Sequence, residues 1–106
     1  TPIETRTYQN QVASFAHEAM VKAKIPSLVV SAVTLECKFH FGIPKTRLKN
    51  TKVGDPHVQS PDLDNCVKIV KDAMQGVVYH NDCQVWKESA ESLWGNQPRA
   101  EITLTF

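Results

Sequence analysis

The chain has 106 residues, 42% of them hydrophobic, and a formal net charge of +1. That length sets one domain, residues 1–106, with a single modest core, for which dimer formation is a natural source of further buried surface. No apolar run reaches the length of a bilayer span, no signal peptide is visible, and the near-zero charge excludes a nucleic-acid binder that works by overall charge rather than by a local basic patch. Cys37, Cys66 and Cys83 are odd in number and lack a CxxC spacing. This argues against a disulfide framework or a zinc knuckle and points to a reducing, cytoplasmic setting.

The opening TPIE predicts a capping box, with Thr1 as N-cap, Pro2 as the first helical residue and Glu4 as the third. Tyr8, Val12, Phe15, Ala16, Ala19 and Ala23 recur at steps of three and four, which predicts a core-covering amphipathic helix over Thr1–Lys24, stopped before Pro26. Leu28–Phe41 reads as one long strand. Val29, Val33, Leu35, Cys37, Phe39 and Phe41 lie on one face, and Thr34, Glu36, Lys38 and His40 on the other. Gly42–Gln59 is a polar loop without an apolar period, in which Lys45, Arg47, Lys49 and Lys52 face the single acid Asp55. Two readings stand for it: a solvated surface loop, or a flexible arm whose cations hold phosphates, with His57 at its end.

Ser60–Gln75 is expected to be the second helix, with Ser60 as cap, Pro61 in its first position, and Gly76 as the stop. Leu63, Val67, Val70 and Met74 form its buried stripe, widened by Cys66, Ile69 and Ala73. Val77–Tyr79 is expected to be extended, His80–Asp82 to turn, and Gln84–Trp94 to be a strand of weak alternation. Gly95–Pro98 then reads as a hairpin loop before the regular strand Arg99–Phe106. The sum is an α+β domain, two helices on a small, largely antiparallel (mixed) sheet.

Chemistry concentrates in SPDLDNCVKIVKDAMQGVVYHNDCQV, residues Ser60–Val85. Asp62 and Asp64 are two apart in a first helical turn, and Lys68 follows Asp64 at the four-residue spacing of true helical neighbours. From Asp64 to Gln75 a helix climbs about 17 Å, and an extended Gly76–Asp82 could cover about 20 Å back, so Asp82 can reach the same end. Three carboxylates together need a cation, and Mg²⁺ is the hard, oxygen-seeking ion that keeps waters for substrate. Such a site activates a water and screens a phosphate, with Lys68 as a point charge at the scissile group. The structural alternative stays open on this pattern: acids placed for the helix dipole, a surface Asp64–Lys68 pair, and Asp82 as a turn residue.

The same stretch resembles the signature of the RusA family of Holliday junction resolvases, carried by bacteria and their phages. Pro61, Asp62, Asp64, Asn65, Lys68, Asp72, Gly76, Asp82, Gln84 and Val85 fall in register with it. The opening TPIETRTYQNQV, the strand into FGIPK, and His57 ahead of Pro61-Asp62 resemble the family as well, so the likeness spans the chain. Ser60, Met74 and Asn81 depart from it, standing where lysine, leucine and the first acid of an Asp-Asp pair are common. An N-terminal strand that the family carries before the first helix has no counterpart in the sequence. The resemblance implies a homodimer that binds four-way DNA junctions and nicks two opposing strands symmetrically, using Mg²⁺ or Mn²⁺. By position it implies Asp62, Asp64 and Asp82 as metal ligands, Lys68 at the phosphate, and Lys45, Arg47, Lys49, Lys52 and His57 on the DNA. Two other expectations use the same residues: a nuclease for other branched DNA, and a non-catalytic junction-binding accessory protein.

Overall fold

The computed structural model describes residues 3–106, so the expected capping box at Thr1 and Pro2 lies outside the described residues. Its elements are α1 (Ile3–Lys22), β1 (Val33–Gly42), α2 (Leu63–Met74), β2 (Val85–Gly95) and β3 (Arg99–Thr105). The sheet order is β2-β1-β3, with β1 parallel to β2 and antiparallel to β3. The fold is α+β with a mixed sheet, as expected, but the sheet is not largely antiparallel, since one of its two pairings is parallel. β2 and β3 are not a hairpin: their connection passes over the end of β1, where Pro98 lies against Gly42.

β1 is the central strand because its alternation is the strongest. Val33, Leu35, Cys37 and Phe39 are buried and form one wall of the core. It is shorter than the sequence predicts. Val29 makes only an isolated bridge to Tyr79, and the carbonyls of Val29 and Ser31 accept from the Gln84 side-chain amide instead of a neighbouring strand. Opposite this wall, α2 buries Cys66, Val67, Val70 and Met74, the stripe read from the sequence. Its cap is Asp62, not Ser60, so Pro61 precedes the helix instead of opening it. Gly76, at φ +81°, gives the left-handed turn that ends it.

α1 packs on α2 with Val12 and Met20 buried and Tyr8 and Ala16 partly so. Phe15, Ala19 and Ala23, expected in the core, instead line an apolar groove of about 730 Å³ between α1 and β3, and Phe15 is 71% exposed. Lys24 closes α1 at φ +59°, while the Ile25 amide donates to the Met20 carbonyl and the Lys24 amide to that of Val21. This is a Schellman arrangement with lysine where glycine is usual.

The weak alternation of β2 has a structural cause. Val85 pairs with Val33, but Lys87 pairs with Thr34, so Trp86 is an extra residue in a β-bulge. The bulge shifts the phase of the strand. Glu88, Ala90, Ser92 and Trp94 stand opposite Leu35, Cys37, Phe39 and Phe41, on the helix-covered face. The other face stays polar and carries ion pairs, Lys38–Glu91 at 3.3 Å and Arg99–Glu101 at 3.0 Å.

Candidate functional site

A charged trough of about 520 Å³ runs between α2 and β2, lined by Leu63, Asp64, Val67, Lys68, Lys71, Asp82, Glu88 and Ala90. Asp64, Lys68 and Lys71 are spaced by four and three and form one stripe of α2. The apolar residues turn the other way into the core, so the same periodicity that builds the domain lays out the trough.

Asp82 reaches the trough by another route than the sequence predicts. Val77–Tyr79 is a turn, not an extended return: the Val78 amide donates to the Met74 carbonyl and the Gly76 amide to that of Tyr79. Asp82 opens a short 3-10 turn, Asp82–Gln84, capped by Asn81, whose side chain accepts from the Cys83 amide. Its own amide donates to Gln75 Oε1 at 3.0 Å, at the C-terminal end of α2. Asp64 and Asp82 therefore stand at opposite ends of the trough. Asp62, at the N-cap, is exposed and outside its lining. Among the described residues no three His, Cys, Asp or Glu side chains converge as a metal site. The expected clustering of Asp62, Asp64 and Asp82 is not formed within the single chain, because the helix holds its first turn some 16 Å of axis from its end.

The other titratable groups have structural roles. Burial pushes the Cys37 thiol up to about 11, helped by Glu88 and Glu36, and burial with Asp62 nearby raises Cys66. Both thiols stay protonated at neutral pH and are unsuited to nucleophilic or metal chemistry. Burial also raises Tyr79, whose hydroxyl donates to the Lys71 carbonyl at 2.7 Å and ties down the last turn of α2.

The basic loop is docked along the edge of β2. The Gly54 amide donates to the Trp94 carbonyl, the Trp94 amide to that of Asp55, and the His57 amide to that of Ser92. His57, expected on the DNA, is buried: it stacks on Phe41 at 3.9 Å and meets Trp94 edge-on at 4.6 Å. It is an anchor of the loop, and burial lowers its pKa below the ordinary value, with Arg47 adding to the effect. Arg47 lies 5.6 Å above the Trp94 ring and is half-buried, while Lys45, Lys49 and Lys52 are exposed. The loop's docking hydrogen bonds fall on Ser92 and Trp94, in the part of β2 beyond Ala90. Glu88 and Lys71 are the residues of the trough that the sequence reading missed. The one signal that could have found Glu88 is the broken alternation of β2.

The fold is a single layer of helices on a small mixed sheet, with a lysine- and carboxylate-lined trough between α2 and β2. The sequence model of the family "Endodeoxyribonuclease RusA" matches residues 1–105, and the chain belongs to that family. The family comprises endonucleases that resolve Holliday junctions. Among curated relatives, the chain is 24% identical over 111 residues to "Uncharacterized protein YqaN" of Bacillus subtilis (strain 168), covering 97% of this chain and 75% of that protein. Among the described residues no helix is long and apolar enough to cross a membrane.

Proposed function

We propose that this chain is a metal-dependent endodeoxyribonuclease that resolves Holliday junctions, as a homodimer, by paired symmetric nicks during DNA recombination and repair. The observation that carries the reading, within the family, is the trough that Asp64, Lys68 and Asp82 line together. A two-fold dimer suits a four-way junction because two equivalent sites meet two equivalent strands.

The donor set is oxygen only and suits Mg²⁺, with Mn²⁺ as substitute, since Mg²⁺ commonly binds through one or two carboxylates and keeps waters. Among the described residues no three carboxylates converge, and Asp64 and Asp82 stand at opposite ends of the trough, so either would hold an ion through one carboxylate and retained waters. Asp62 would need the first turn of α2 to rearrange. When bound, the ion supplies Lewis-acid stabilisation of phosphate charge and an acidified water. The chain's own residues do the rest. Lys68 places a positive charge where a phosphate enters, and Lys45, Lys49 and Lys52 hold the flanking backbone.

A labelled four-way junction incubated with the protein in Mg²⁺ and in EDTA, beside Asp64→Asn, tests this. Symmetric nicks with Mg²⁺, and none with EDTA or the variant, support the reading. A junction that is bound but left intact in both Mg²⁺ and Mn²⁺ overturns it.

A further inference from the structure

Glu88 reaches the trough only through the bulge at Trp86. Were Trp86 paired with Thr34 in phase from Val85, Lys87 would turn toward α2 and Glu88 toward the polar outer face. Bulges recur where a side chain must be re-aimed. Here, among the described residues, the re-aimed carboxylate meets Lys71, whose Nζ lies 3.3 Å from Glu88 Oε1. The lysine side chain is 22% exposed and the glutamate 41%, so the pair spans the trough from wall to wall with its open side to solvent.

Lys71 is also fixed from below. Its carbonyl accepts from the buried Tyr79 hydroxyl. A free lysine would spread its charge over many rotamers, whereas one held at both ends keeps its ammonium over the trough. An ammonium has three donors. Among the described residues Glu88 Oε1 engages one of them, which leaves the others for an incoming oxygen. Lys68 stands one turn along the same stripe, so the two ammoniums are neighbours on a single wall.

We infer that Glu88 is a positioning residue of the nuclease trough: it holds Lys71 as a second phosphate-contacting cation beside Lys68. The inference rests on the nuclease reading above and deepens it. Glu88 itself does not touch the substrate. Its negative charge repels phosphate, so it weakens binding slightly while improving the alignment of the cation that matters in the transition state.

The test is a double-mutant cycle on the full chain with a labelled four-way junction in Mg²⁺: wild type, Glu88→Gln, Lys71→Met, the double variant, and Asp64→Asn as the inactive control. Cleavage rate, junction Kd and Tm are measured for each. Lys71→Met is expected to slow cleavage roughly tenfold or more. Glu88→Gln should slow it comparably, with Kd unchanged or tighter. Adding Glu88→Gln to Lys71→Met should cost nothing further. Each Tm should stay within about 4 °C of wild type, as for a half-exposed pair.

Three results overturn the inference. Glu88→Gln could cleave like wild type. It could slow cleavage equally in the Lys71→Met background, which would make Glu88 act on its own. Or the losses could track Tm, which would make the pair purely structural. A wild-type protein that is folded by its Tm yet leaves the junction intact is a different failure: it removes the nuclease reading and this inference with it.

Discussion

The two flanks of the sheet differ sharply. On the β2 flank the helix layer leaves a charged trough, and the strand's edge is occupied by the docked loop through the Pro56–Leu93 bridge and the Trp94–Asp55 pairing. On the β3 flank the helix layer leaves an apolar groove lined by Val12, Ala16, Ala100, Ile102 and Leu104. One flank carries charge that costs the fold little, and the other carries apolar surface that does little for the chemistry. Function and stability should therefore separate along the line of β1.

The strongest test of that separation is on the charged flank. Asp64→Asn and Asp82→Asn should each lower junction cleavage by about a hundredfold or more, while moving stability by no more than about 0.5 kcal/mol. A large fall in Tm for either would erase the distinction between the flanks. Replacing Lys45, Arg47, Lys49 and Lys52 together by glutamine should weaken junction binding. It should also reduce the slope of log K against log salt by up to about 3, read from binding at several salt concentrations. The half-buried Arg47 is spent on Trp94 and is expected to contribute least of the four to that slope.

Gln84→Ala probes where the flanks are joined. Gln84 accepts from the His80 and Asn81 amides and donates to the Val29 and Ser31 carbonyls. Its loss should cost about 2–3 kcal/mol in urea unfolding, because several backbone groups lose their partners at once. His57 gives a pH signature. Its folded pKa lies below the ordinary 6.5, so the unfolded chain takes up the proton first as pH falls. The contribution of His57 is intact above the unfolded pKa and is lost progressively on acidification through that value toward the folded one. Tm should therefore drop between about pH 7 and about pH 5, and His57→Phe, which keeps the stack, should flatten that part of the profile. The smallest effect belongs to the apolar flank. Phe15→Ser should change stability by less than about 0.5 kcal/mol, since the ring is already 71% exposed.

Much of this was legible in the sequence. The alternation of Val33 to Phe39 and the 3.6-residue stripe of α2 each report on one element packing against one core, and local period carries that information. So does the placement of Asp64 and Lys68 on one helical face. What escaped depends on contacts between distant segments. Nothing local distinguishes a strand partner from a strand that crosses over, so Gly95–Pro98 read as a hairpin. Phe15 fits a helical period equally well above a core and above an open groove. Asp82 had enough chain to return to Asp64, but hydrogen bonds around Gly76 and Gln75 hold it at the far end. The bulge at Trp86 made β2 look irregular, when the irregularity was the means of turning Glu88 inward.

The amide of Gln84 has a consequence in time as well as in space. One side chain bonds both the approach to β1 and the turn that carries Asp82, and these segments lie some fifty residues apart in sequence, as the separation of 55 between Gln84 and Val29 illustrates. Neither segment can open while that side chain keeps its place. The amide hydrogens of His80 and Asn81 should exchange with solvent at a common rate, set by a single cooperative opening rather than by separate frayings of a loop. The acid at the far end of the trough would then be only as steady as a glutamine planted two residues after it.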